Sequence, residues 1–255
     1  MKTKTILFSL IFSLTIFFCS NIIGQRNDLE KLNLNDNIKS IREFSYQAFE
    51  KFGDIQKGKT GFSYYNIYNR MGNKVEDNRY NPNGDLEKLY IYKYNNNGNR
   101  IEQIQFLSDS SIIRKITYKH DKKGNIIEDN SYTIEGKLDK TYTFKYDDKG
   151  NVIEDNSYTS DRILIKTFTY KYDENNYKIE NSRFASDGNL EKKHTYKYNS
   201  KGNVIENNCY TYDGSLLRKY SYNYKYDIND NWIKKIEYEN EIPKYIIERE
   251  IEYYK

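Results

Sequence analysis

The chain has 255 residues, a formal net charge of +4, 31% charged residues and 16% aromatic residues, with 28 tyrosines and only 2 prolines. So many aromatic rings exclude a disordered chain despite the polar average, and the near-balanced charge lacks the basic surplus of a nucleic-acid binder. Tyrosine suits half-buried strands, because it has an apolar ring and a polar tip.

Residues 1–24 stand apart. Lys2 and Lys4 precede an apolar run from Ile6 to Phe18. This is the charged n-region and apolar h-region of a secretory signal peptide, and the run is short for a membrane span. Gly24 offers a small residue before a cleavage point at Gln25. Cys19 is a candidate lipid-attachment site, and membrane attachment would follow only from its lipidation. The bulky Phe18 before it favours plain cleavage. Only Cys209 then remains, so no internal disulfide is expected. The protein is read as exported, to the periplasm, the cell surface or the medium.

Residues 25–60 are read as an N-terminal cap. Within them, "NIKSIREFSYQAFEKFG" fits either an edge strand or a short helix. Terminal units of repeat arrays are often atypical.

From residue 61 to 240 the chain repeats. Gly72, Gly98, Gly124, Gly150 and Gly202 lie on a 26-residue grid, with Asn176 filling one place and Asp230 another after a short insertion. A second grid holds Gly58, Gly84, Gly136, Gly188 and Gly214, with Ser110 and Arg162 standing in. These ten glycines are assigned as structural turn residues, not as ligand contacts. Between turns the pattern alternates. Leu138, Lys140, Tyr142, Phe144 and Tyr146 share one parity, and Asp139, Thr141, Thr143 and Lys145 the other. Period two with short connections means antiparallel hairpins. Phe144 and its equivalents Tyr92, Tyr118, Tyr170, Tyr196 and Tyr222 are expected to be less exposed than Thr143 and its equivalents.

The second strand of each unit is ambiguous. The column Ile127, Ile153, Ile179, Ile205 and the column Tyr132, Tyr158, Phe184, Tyr210 differ by an odd offset. Either a bulge intervenes or both faces carry apolar groups. A glutamate column (Glu76, Glu102, Glu128, Glu154, Glu180, Glu206) and a basic column (Lys88, Arg114, Lys140, Lys166, Lys192, Arg218) are read as offsetting each other across strands. Residues 241–255 are read as a closing strand.

No nucleophile elbow, phosphate loop or zinc-protease motif occurs in the chain. His120 occupies the grid place of Tyr94 and Tyr146, and His194 that of Tyr142 and Phe168, so each is a ring replacing a ring. Cys209 aligns with Ser131 and Ser157, and no histidine is on its own grid unit to act as its base. Asp147 and Asp148 before Gly150 lack the remaining spacing of a calcium loop. No enzyme activity, cofactor or metal is expected.

The unit "YKYDDKGNVIE", through Tyr146, Asp147, Gly150 and Asn151, resembles the YD repeats of Rhs-type proteins. The resemblance implies β-sheet shells and surface modules, some enclosing a toxin domain. Hairpin repeats of the MORN type are a weaker resemblance. The expected fold is all-β: a long antiparallel meander of about 14–16 short strands, curled into an open spiral, a partial shell or a barrel so that its aromatic face is not left bare. The expected function is an envelope module that is structural or binds a polysaccharide or protein. The alternatives are an Rhs-type shell fragment or toxin-associated protein, and an outer-membrane barrel.

Overall fold

The computed structural model describes residues 26–35 and 37–255. The signal peptide expected at residues 1–24, with Cys19 and the expected cleavage point, lies outside the described residues. One short helix, α1 (Asp28–Lys31), precedes the strands. The first half of the meander is β1 (Ile38–Lys51), β2 (Asp54–Tyr68), β3 (Lys74–Tyr80), β4 (Leu86–Tyr94), β5 (Arg100–Leu107), β6 (Ile112–His120), β7 (Ile126–Tyr132) and β8 (Leu138–Tyr146). The second half is β9 (Val152–Thr159), β10 (Leu164–Tyr172), β11 (Lys178–Ala185), β12 (Leu190–Tyr198), β13 (Val204–Thr211), β14 (Leu216–Tyr226), β15 (Trp232–Glu239) and β16 (Ile242–Tyr253). Each strand pairs with its sequence neighbours, and β16 pairs with β1, so the sheet closes into a barrel. Closure leaves no unpaired edge.

Closure corrects the cap expected at residues 25–60. β1 is 14 residues long and is paired on both sides, with Ile41 opposite Asn66 of β2 and Ile251 of β16. It closes the barrel wall. Capping falls instead to residues 26–35, described below.

Both turn grids use one geometry. At the Gly150 turn, the Asp147 N–H donates to Asn151 O at 2.9 Å and the Gly150 N–H to Asp147 O at 3.1 Å. Gly150 has φ +81. The other grid repeats these bonds, for instance Thr133 to Lys137 at 2.9 Å and Gly136 to Thr133 at 3.0 Å. This is a three-residue hairpin loop whose last residue is left-handed. The non-glycine stand-ins Ser110, Arg162, Asn176 and Asp230 are left-handed as well, with φ between 62 and 65. Asp147 Oδ1 also accepts from the Lys149 and Asn151 N–H groups, at 3.0 and 2.8 Å, which fixes the turn through the side chain. Gly150→Val should therefore cost about 1 kcal/mol or more, read as a lower denaturation midpoint, because a β-branched residue is strained at positive φ.

Gly58 is a correction. It lies inside β2, and the turn before β2 is made by Phe52 (φ 55) and Gly53 (φ 84). Gly58 keeps the grid number because β1 and β2 run past the length of a repeat strand. An added Cβ there would stand 3.3 Å from Gln47 O, so the position serves close approach of β1.

Bulges resolve the odd offset between the isoleucine and aromatic columns. Tyr146 faces Val152 while Lys145 faces Glu154, so Ile153 is the extra residue. A second bulge follows the other turn, where Leu164 faces Tyr158 and Lys166 faces Ser157. Each bulge resets the in–out alternation.

The outer wall carries the glutamate column, but its partners are not the basic column expected. Lys93, Lys119, Lys145, Lys171 and Lys197 pair with Glu102, Glu128, Glu154, Glu180 and Glu206 at 2.7 to 2.9 Å. These lysines are 55 to 69% exposed, so each pair is worth little and the ladder mainly holds like charges apart.

The inner wall carries the tyrosines. Phe144 and Thr143 are both half-buried, as are their equivalents, so the expected contrast in exposure is not seen. A barrel of this strand number encloses a water-filled lumen, which wets inward rings too. One inward column has a structural task. The hydroxyls of Tyr146, Tyr172, Tyr198 and Tyr224 donate to the carbonyls of Ile126, Val152, Lys178 and Val204 at 2.7 to 2.8 Å, each 20 residues back. His120 holds this place on β6, and its buried Nε2 has no partner among the described residues. His120→Tyr should restore the bond, to Arg100 O, and raise stability by about 1 kcal/mol in a denaturant melt.

Candidate functional site

Residues 26–35 cross the barrel mouth formed by the Gly-Asn turns. The Leu29 N–H donates to Gly72 O at 3.1 Å, and Arg26 reaches Asn151 Oδ1 at 3.4 Å. Asn33 Nδ2 donates to Lys201 O at 2.6 Å, and the Asn35 N–H to Asn231 Oδ1 at 2.8 Å. The segment thus binds turns on well-separated strands, as a strap must. A capping box starts its helix, with Asn27 accepting from the Glu30 N–H and Glu30 from the Asn27 N–H, both at 2.9 Å. No described segment other than strands and their turns is left to cover the opposite mouth.

Under the strap the lumen is lined by tyrosine rings and charges. Three sectors differ. Along β3–β5 the charges neutralise one another. Asp77 meets Lys74 and Arg79, each at 3.5 Å, and Asp28 of the strap meets Arg100 at 2.7 Å. Arg100 also lies 4.5 Å from the Tyr92 ring centre. Along β7–β9 the wall is acidic. Burial and the nearby Asp155 carboxylate push Asp129 up to about 7, and its Oδ1 has no hydrogen-bond partner among the described residues. Asp155 accepts a short hydrogen bond from the Tyr170 hydroxyl. Along β11–β16 the wall is basic, with Lys178, Lys235 and Arg249. Arg249 is paired with Glu43 at 2.8 Å and stacked over the Trp232 ring at 3.3 Å. A cavity of about 650 Å³ follows this sector and reaches Arg26 and Lys31 of the strap.

Asp129 has a pH signature. Its folded value lies above the ~3.9 of an unfolded aspartate. Its ionisation therefore opposes folding, so stability falls as pH rises from about 4 to about 7 and levels off above that. Asp129→Asn should be more stable than the parent by on the order of 2 kcal/mol at pH 8 and equal to it near pH 4, measured by urea melts.

The sequence-assigned turn glycines do not converge on a site. They are distributed between the two barrel mouths, apart from Gly58 in β2. His120 and His194 sit on different sectors. One juxtaposition was not visible on the repeat grid: His194 lies directly opposite Cys209 in the β12–β13 pair. His194 Nδ1 lies 3.1 Å from Asn207 Oδ1, and Cys209 is buried at 5% exposure. Grid alignment compares equivalent places, whereas these two are cross-strand neighbours. Counting outward from the turn at Gly202 would have found them.

No protein-family model matches the chain, and no curated protein matches it. Among solved structures, the fold is similar to a porin-like protein from Bacteroides uniformis, with TM-score 0.56 and 12% identity, covering 84% of this chain and 96% of that one. A porin-like protein from Bacteroides vulgatus matches with TM-score 0.43 and 13% identity, over 86% and 99% of the two chains. A TcdB2-TccC3 structure matches with TM-score 0.30 and 12% identity, covering 77% of this chain but 14% of that one. At these identities the first likeness establishes the barrel fold.

Proposed function

We propose that this is an exported, non-enzymatic β-barrel of the bacterial cell envelope that binds a saccharide in its lumen. The observation that carries this reading is the inward column of Tyr92, Tyr118, Phe144, Tyr170, Tyr196 and Tyr222, a row of half-buried rings along the wall of a wet cavity. Rings with polar tips offer stacking faces and hydrogen bonds to a polyhydroxylated ligand at low entropic cost. Signal-peptide features at residues 1–24 support export. The kinship of the hairpin units with YD repeats is part of this proposal and rests on the recurring Tyr-Asp and Gly-Asn residues of the turn. The test is retention of protein beginning at Gln25 on immobilised envelope polysaccharides of its host. Retention released by free polysaccharide supports the reading, and passage through every such column overturns it.

A second reading, a barrel spanning the outer membrane, is favoured by the strand number and the porin-like fold. Against it stand the outward Lys–Glu ladder and repeat strands as short as 7 residues. Spanning strands need about 9–11 residues and an apolar outer band. Extraction of membranes with alkaline carbonate separates the two. A soluble pool supports the lumenal binding module, and a pool extracted only by detergent supports the spanning barrel.

A further inference from the structure

The outer lysines named above each have a glutamate partner. Two lumenal lysines do not. Among the described residues, no carboxylate comes within the 4.0 Å ion-pair distance of Lys178 or Lys235. Each is held by rings instead. Lys178 Nζ stands 5.3 Å from the ring centres of both Tyr170 and Tyr196. Lys235 Nζ stands 5.4 Å from those of Tyr222 and Trp232. Asn207, opposite Tyr196 in the register, bridges the two halves of the row. From β10 to β15 the wall therefore alternates ring and polar head, strand by strand.

Lys235 departs from the chain's own repeat, and Lys178 departs from its apolar units. The grid place of Lys178 carries Ile126, Val152 and Val204 in three units and Lys74 and Arg100 in two, and those two cations meet the carboxylates of Asp77 and Asp28. That of Lys235, allowing for the insertion before it, carries Asp129, Asp155, Asn181 and Asn207. Packing of the hairpin therefore does not demand a cation at either place. A desolvated ammonium without a counter-ion is unfavourable, and the ring faces offset only part of that cost. Burial lowers the pKa of both. The nearest lumenal acids are Asp155 and Glu237, which stay beyond ion-pair distance, and burial raises the pKa of both carboxyls. Arg26 and Lys31 of the strap and Arg249 of β16 line the same cavity, so with Lys178 and Lys235 its cations outnumber its carboxyl groups, Glu30 and Glu237.

We propose that the β10–β15 wall is a site for an acidic oligosaccharide, with sugar faces on Tyr196 and Tyr222 and ring carboxylates on Lys178 and Lys235. This rests on the saccharide reading above and specifies its ligand class. The two strands that carry the ammoniums, β11 and β15, lie four strands apart, about 19 Å along the wall at ~4.8 Å per strand. An extended chain, not a single anion, spans both. Charge-assisted hydrogen bonds from the two ammoniums supply affinity, and the rings supply orientation.

Trp232 is the chain's one tryptophan and lies in the site, so its fluorescence reports occupancy. The probes are a galacturonic acid oligosaccharide and its fully methyl-esterified form, which keeps the ring and loses the charge. The acidic form should change Trp232 emission saturably, at least about tenfold more tightly than the ester, and less tightly at high salt. The double variant Lys178→Gln, Lys235→Gln removes both charges and keeps most of each stem. Confirmed as folded by circular dichroism, it should bind the acidic form about tenfold or more weakly than the parent. If the ester binds as well as the acid, or the double variant binds the acid unchanged, the acidic site is wrong while the saccharide reading stands. If neither probe binds, the acidic site is wrong, and retention on the host polysaccharides decides the saccharide reading.

Discussion

Tyr68→Ala should lower the stability of the barrel by about 4 kcal/mol, with a fall in melting temperature on the order of 10 °C. Tyr68 is the largest fully buried side chain, at 1% exposure. It packs with Leu29 and Leu34 of the strap and with Ile38 and Ile41 of β1, and Ile251 and Tyr253 of β16 close around them. This is where apolar side chains from the strap and both closing strands meet. A wide barrel has a wet lumen and no central core, so a local cluster must supply what packing there is. Truncation there removes transfer energy and leaves a cavity that the closed sheet cannot collapse. Tyr212→Ala is the control, because Tyr212 is 74% exposed and should change stability by less than about 0.5 kcal/mol. Denaturant melts of the two variants decide the matter. Equal losses would show that the strap junction is not the barrel's packing centre.

The hairpins were legible because turn chemistry is local. Gly150 and its stand-ins mark a left-handed residue, and that residue sets where each strand starts. Strand alternation was legible for the same reason. Closure was not, because it depends on β1 meeting β16, two segments about as far apart in sequence as the chain allows. The parity of Ile38 and Ile41 on β1 gave no sign of a partner at Ile251. The strap was also hidden, since its contacts run from Asn33 to Lys201 and from Asn35 to Asn231 and obey no period.

The charge ladder shows how register carries information that columns do not. Glu154 and Lys140 both recur on the grid, yet Glu154 pairs with Lys145. The turn at Gly150, followed by the bulge at Ile153, places those two opposite each other. Pairing is set by counting outward from a turn. The same count exposes His194 beside Cys209. Lys178 and Lys235 were overlooked for another reason: the cation at the Lys235 place does not recur, and Lys178 differs from Lys74 and Arg100 in its missing carboxylate, which no column shows.

Asp28→Ala should destabilise the protein by about 3 kcal/mol at neutral pH and free the strap from the mouth. Asp28 sits in α1 with its side chain 14% exposed, and Arg100, 20% exposed, donates to both its carboxylate oxygens at 2.7 and 2.9 Å. The Lys74 N–H adds a bond at 2.8 Å and the Tyr94 hydroxyl one at 3.0 Å. Burial alone would raise the Asp28 carboxyl, but Arg100 and the Lys74 N–H together hold it below the usual range. Its stabilisation is therefore present above the unfolded value of ~3.9 and is lost as pH falls through the lower folded value. The gap between parent and Asp28→Ala should narrow in urea melts at increasingly acid pH. Much of the neutral-pH cost is the arginine left without its carboxylate. Adding Arg100→Met to Asp28→Ala should then recover part of the loss, which simple additivity forbids. A cost below about 1 kcal/mol for Asp28→Ala, or a double variant at the sum of the two singles, would show that this ion pair does not anchor the strap.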